Sequence, residues 1–114
     1  MICSLKDIAI RALTSQNRTR MVFPGKGPIQ DMVRFGFSFV ESEDDMVSYI
    51  IAHPSRMKDI LCGFSEAELN PENGALGRLW TAELICVRKM KGNQIVFANQ
   101  SMGVVLVLDI QNNK

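Results

Sequence analysis

The stretch Val47-Ser-Tyr-Ile-Ile-Ala-His-Pro-Ser-Arg-Met-Lys-Asp-Ile-Leu-Cys-Gly63 decides the fold class. Its first half, Val47 to Ala52, is short, apolar and rich in β-branched and aromatic residues, which reads as a buried strand. Pro54 then supplies the fixed φ that suits a first helical position. Met57, Ile60 and Leu61 fall on one face of the helix that follows, and Gly63 is its stop. A strand running straight into an amphipathic helix is the unit of a layered fold with helices packed on a sheet.

Downstream the pattern becomes β. Ser65 to Gly77 is polar, with Asn70-Pro71 and Asn73-Gly74 as turn signals, and Ser65-Glu-Ala-Glu-Leu69 reads as one helical turn. Glu83 to Arg88 is a strand, Lys91-Gly-Asn93 a turn, Gln94 to Ala98 a strand and Gly103 to Asp109 a last strand. Gln111 to Lys114 is a loose tail.

Upstream, Ser4 caps a first helix that carries Leu5, Ile8, Ala9, Ala12 and Leu13 at helical spacing. Met21-Val-Phe23 reads as an edge strand, and Pro24-Gly-Lys-Gly-Pro28 breaks the chain. The next segment supports two periods. Val33, Phe35, Phe37 and Phe39 alternate as in a strand, while Ile29, Met32, Val33, Gly36, Phe37 and Val40 recur as in a helix. The span is long for one strand and opens on Pro28, so the reading is a helix over 28–41 that ends in the polar run Glu41-Ser-Glu-Asp-Asp45. The expected architecture is α+β (mixed α/β): a mixed sheet of about four strands with helices packed against it. One domain fills 1–114, with a helix and loop over 1–27 and the core over 28–110.

Bulk properties narrow the function. A chain of 114 residues has room for one core. A net charge of +1 creates no long-range field to gather nucleic acid or an anionic membrane. The longest apolar run, Gly103 to Leu108, is far short of the roughly 20 residues that span a bilayer. Met1-Ile-Cys-Ser-Leu-Lys-Asp7 lacks the layout of a secretion signal, so a cytoplasmic protein is expected. Cys3, Cys62 and Cys86 are too widely spaced for a metal knuckle, and each has apolar neighbours, which predicts buried, reduced thiols.

Residues able to carry chemistry are few. His53, the single histidine, stands between strand and helix and reads as a polar residue closing that turn. An enzyme built on it would need nearby carboxylates and a pocket around its ring. Gly25-Lys-Gly27 lacks the frame of a phosphate loop. No nucleophile motif, dinucleotide fingerprint or metal-ligand spacing is present, so no catalytic, cofactor-binding or metal-binding residues and no cofactor are expected. Arg18, Arg20 and Lys26, with Arg34, form a candidate basic patch. A regulatory module binding a ligand or nucleic acid through them is the alternative function, and a solvated face is the plainer explanation. Glu41, Glu43, Asp44 and Asp45 lack the spacing of a cation loop and read as a solvated loop, or as an acidic partner for the basic third of a neighbouring subunit. Trp80 reads as core beside a strand. If the 28–41 helix buries its regular stripe, Phe35 and Phe39 fall to its other side. With Arg34, Glu43 and Asp44 they make up the candidate interface, unless the helix is sandwiched within the fold.

Three ordered segments resemble the axial domain of tailed-phage major capsid proteins and of their encapsulin relatives. Tyr49 to Leu61 resembles the family's strand, x-Pro helix start and amphipathic helix. Asn73-Gly-Ala-Leu-Gly-Arg-Leu-Trp-Thr-Ala-Glu-Leu-Ile-Cys-Val87 resembles its glycine-bearing approach to a Leu-Trp and the strand after it. Gln94 to Leu108 resembles its closing hairpin. The long spine helix, extended loop and peripheral domain of a shell subunit have no counterpart here. The resemblance therefore implies a free-standing, virus-like axial domain, similar to truncated axial-domain-only encapsulin relatives. It implies a non-enzymatic structural protein that forms ring-like homo-oligomers or docks a protein partner or cargo.

Overall fold

The computed structural model describes residues 5–16, 18–23, 29–65, 67–69, 77–90 and 93–110. Cys3, the Ser4 cap, the Pro24–Pro28 breaker with Lys26, the Asn70-Pro71 and Asn73-Gly74 turns, Lys91-Gly92 and the tail from Gln111 lie outside the described residues. The described order is α1 (Leu5–Thr14), β1 (Arg18–Phe23), α2 (Ile29–Ser42), β2 (Tyr49–Ala52), α3 (Pro54–Gly63), β3 (Glu68–Leu69), β4 (Gly77–Leu79), β5 (Ala82–Cys86), β6 (Gln94–Ala98) and β7 (Val105–Ile110).

The strands form one mixed sheet in the order β1-β7-β6-β2-β5-β4-β3. β2 is central, parallel to β5 and antiparallel to β6. The outer pair β1 and β7 is parallel, while β6–β7, β4–β5 and β3–β4 are antiparallel. A parallel neighbour demands a crossover, and α3 supplies it between β2 and β5.

Strand periodicity sends alternate residues to opposite faces, and both faces are covered. Ile50, Ala52, Leu84, Ile95, Phe97, Leu106 and Leu108 join Met32, Val33, Phe37 and Val40 of α2 and Met57 and Ile60 of α3. Ile51, Ile85, Val96, Ala98, Val105 and Val107 join Ile8, Ala9 and Ala12 of α1, with Met90 and Met102. This two-sided burial explains why β2, β6 and β7 read as continuous apolar runs. Each fully buried Ile or Leu contributes about 1.5–3 kcal/mol relative to exposure. α2 seats closely on β6: a Cβ at Gly36 would stand 2.4 Å from the Phe97 ring, so only glycine fits there.

The helix reading of 28–41 agrees with α2, and its predicted buried stripe is the observed one except at Ile29, which is half-buried. The strand count does not agree: seven strands replace about four. The extra strands have physical reasons. β1 starts at Arg18, earlier than the apolar Met21-Val-Phe23, because an edge strand needs one buried face only. β3 and β4 are two and three residues long, the first within the stretch read as polar and the second starting at its end; β3 is held by backbone pairing with β4, and β4 by pairing with β5. The helical turn expected over Ser65–Leu69 is absent: Ala67 N bonds Phe64 O at 3.3 Å, and Glu68–Leu69 is strand.

The cysteine expectation is overturned for two residues. Cys62 and Cys86 are exposed free thiols. Cys62 lies outside the buried α3 stripe of Met57 and Ile60, and Cys86 ends β5 where the sheet runs out. Partial desolvation pushes the Cys86 thiol up from its ordinary range, and Arg88 pulls weakly the other way.

Candidate interaction surfaces

The four cations of the candidate basic patch do not form one surface. Arg18 and Arg20 share the α1-side face of β1, by strand alternation. The Arg18 guanidinium donates to the carbonyl of Leu13. Arg20 forms a two-pronged pair with Asp109 at 2.9–3.2 Å, and Gln94 donates to the same carboxylate at 2.9 Å. Arg34 is on α2, across the sheet, with its guanidinium 5.6 Å from the centre of the Phe64 ring. Lys26 lies outside the described residues.

The candidate interface is likewise divided. Consecutive helical residues point about 100° apart, so Arg34 and Phe35 leave α2 on different flanks. Arg34 turns toward α3 and Phe64. Phe35 is 37% exposed, while Phe39 is partly buried against the core, so Phe39 is a packing residue more than a surface one. Glu43 and Asp44 sit in the turn after α2, both exposed.

That turn belongs to a rim of the sheet where β2 and β5 begin and the β6–β7 connection crosses over, here called the near rim. Three loops meet there and side chains stitch them. Asn99, 4% exposed, donates to the Asp45 carboxylate. Its own Oδ1 accepts from Gly103 N at 2.8 Å and from Ser101 Oγ at 3.3 Å. Thr81 Oγ1 donates to Val47 O at 2.7 Å, tying the β4–β5 turn to the strand entry at β2. Asp45 thus acts as a loop brace, which corrects the reading of the whole acidic run as solvated; Glu41, Glu43 and Asp44 do face solvent.

Among the described residues, positive φ at non-glycine positions occurs at Asp44 (57°), Trp80 (54°) and Met102 (62°), all in these three loops. Asp tolerates that region, whereas a bulky Trp there is an outlier that surrounding contacts must hold. Phe37 and Phe64 do so, meeting the Trp80 ring edge-on with centroids 4.8 and 5.2 Å away. Trp80 is nevertheless 40% exposed, so the expectation of a core tryptophan is corrected: it caps the α2/α3-side core and keeps an open face. Met46, next in the chain to Asp45, is 54% exposed.

At the opposite, far rim, β2 and β5 end. His53 is the N-cap of α3: its Nδ1 accepts from Ser55 N at 3.2 Å and lies 2.9 Å from Ser55 Oγ. It closes the strand–helix turn in the manner its position suggests. Arg88 and Lys89 follow β5 in an exposed turn. Arg56 pairs with Asp59 on α3 at 3.2 Å.

Sequence reasoning missed Asn99, Thr81, Met46, Arg88 and Lys89. The signal for Asn99 was an asparagine directly after an apolar strand and four residues before Gly103, where a turn residue with a buried carboxamide serves as a loop organiser. Among the described residues no group of three or more His, Cys, Asp or Glu could hold a metal ion, and no helix is long and apolar enough to cross a membrane. No family model matches the chain, and neither a curated protein nor a solved structure matches it.

Proposed function

We propose that this chain is a non-enzymatic assembly protein of the cytoplasm, in form a capsid-type axial domain, which works by associating with copies of itself or by docking a protein partner. One observation carries the reading. The three segments that resemble the axial domain fold as a single contiguous block: Tyr49–Leu61 supplies β2 and most of α3, the described part of 73–87 supplies β4 and β5, and Gln94–Leu108 supplies β6 and four of the six residues of β7. Their strands are neighbours in the sheet, in the run β7-β6-β2-β5-β4.

The surface points the same way. Exposed Met46 and Trp80 lie on a braced rim, an arrangement that suits contact better than turnover. The alternative use of Arg18 and Arg20 for an anionic ligand competes with the bonds that hold both guanidinium groups to the protein itself. Light scattering on the purified chain tests the proposal. A species several times the mass of one chain, or a stoichiometric protein partner recovered with it from cells, is expected; a strict monomer at high concentration with no such partner refutes it.

A further inference from the structure

The turns at the two rims carry exposed charge of opposite sign, acidic after α2 and basic after β5, although exposed Arg78 of β4, level with Glu83, adds a cation to the near rim. On the near rim, Glu41, Glu43 and Asp44 are exposed, beside the open faces of Met46 and Trp80. On the far rim, Arg88 and Lys89 are exposed in the turn after β5, while Lys58 and Asp59, both exposed on α3, offset each other. Register fixes the rims at opposite ends of the same strands. Tyr49 is level with Glu83 where β2 and β5 begin, and Ala52 is level with Cys86 where they finish.

From this polarity we propose that the near rim of one copy docks on the far rim of a second copy, head to tail. Glu41, Glu43 and Asp44 face the neighbour's Arg88 and Lys89, and Met46 and Trp80 pack on the aliphatic stems of those cations and on Pro54. The inference rests on the self-association reading and names its surfaces. It also reassigns the basic partner. Arg18 and Arg20, two of the cations of the N-terminal third, are exposed but bonded within their own chain, and Arg88 and Lys89 are exposed in the turn after β5. The bracing of the near rim matters for the same reason. Loops stitched through Asn99–Asp45 and Thr81–Val47 lose little freedom on contact, so less of the binding energy is consumed in ordering them. Two different surfaces in contact make a heterologous interface, which closes into a ring or extends into a filament according to the rotation between copies.

Charge reversal tests this without touching the strained positions. One variant carries Glu41→Lys with Glu43→Lys, the other Arg88→Glu with Lys89→Glu. In sedimentation velocity at low salt, each variant alone is expected to associate at least about tenfold more weakly than the unaltered chain, because like charges then face each other. An equal mixture of the two regains association, which also shows that both are folded. Association of the unaltered chain falls as salt is raised. If the unaltered chain assembles while both reversed variants assemble equally well, the rim contact is wrong and self-association stands. If both variants lose association and the mixture stays monomeric, charge pairing between the rims is wrong. If the unaltered chain is monomeric throughout, both the rim contact and self-association fall.

Discussion

The two rims of the sheet are built on different principles. The far rim uses regular devices: a proline-initiated helix, an N-cap and a short turn. The near rim uses irregular ones: positive φ at Asp44, Trp80 and Met102, and a buried amide shared among loops. Irregular backbone costs on the order of 1–3 kcal/mol per residue and persists only where its surroundings hold it. The difference teaches where this chain spends stability on shape, and that place holds two of its exposed large apolar groups, Met46 and Trp80, the others being Ile10, Val22 and Phe35 among the described residues.

The comparison breaks most readily at Asn99. Asn99→Ala leaves Gly103 N and the Asp45 carboxylate without their buried partner, a loss of about 2–3 kcal/mol by chemical denaturation. A loss below about 0.5 kcal/mol would mean that the near rim is not braced through this residue. At the far rim, His53→Ala removes only a cap and is expected to cost about 1 kcal/mol, while His53→Asn, which keeps an acceptor, costs a few tenths. Equal effects from the two would show that the ring nitrogen is not the cap. Asp44→Gly sharpens the comparison from the other side. Glycine takes φ of 57° freely, so stability should change by about 0.5 kcal/mol or less, with a gain as the expected sign. The smallest effect is chemical. Burial raises the Cys86 pKa, so its alkylation at neutral pH should be slower than that of a free cysteine and should accelerate as pH climbs past the ordinary thiol range. A rate at or above that of free cysteine at neutral pH contradicts the shift.

Sequence pattern carried most of the fold because most elements are apolar on a regular period. The buried stripe of α2 and the continuous runs of β2, β6 and β7 show directly in residue order. β3 and β4 do not, since two or three residues give no period, and their stability comes from hydrogen bonds between them and from β4 to β5, partners that only the fold supplies. The surface was less legible. The exposure of Trp80 depends on a backbone angle that residue type argues against, and the cysteines lie at element ends, where neighbours in sequence are not neighbours in space. Arg18 and Arg20 looked free because Leu13 and Asp109, which hold them, are set by folding: one by the α1–β1 turn, the other by strand order. Charge signs along the chain were visible, but the fact that the acidic run and Arg88-Lys89 occupy opposite ends of one sheet required the register of β2 with β5.

The central claim is that this chain acts through contacts between surfaces, and a dilution series in sedimentation equilibrium tests it most directly. The account predicts a mass that rises with concentration well above that of one chain and falls as salt is added. A single mass equal to one chain at every concentration and salt, with no protein partner recovered with the chain from cells, would contradict it.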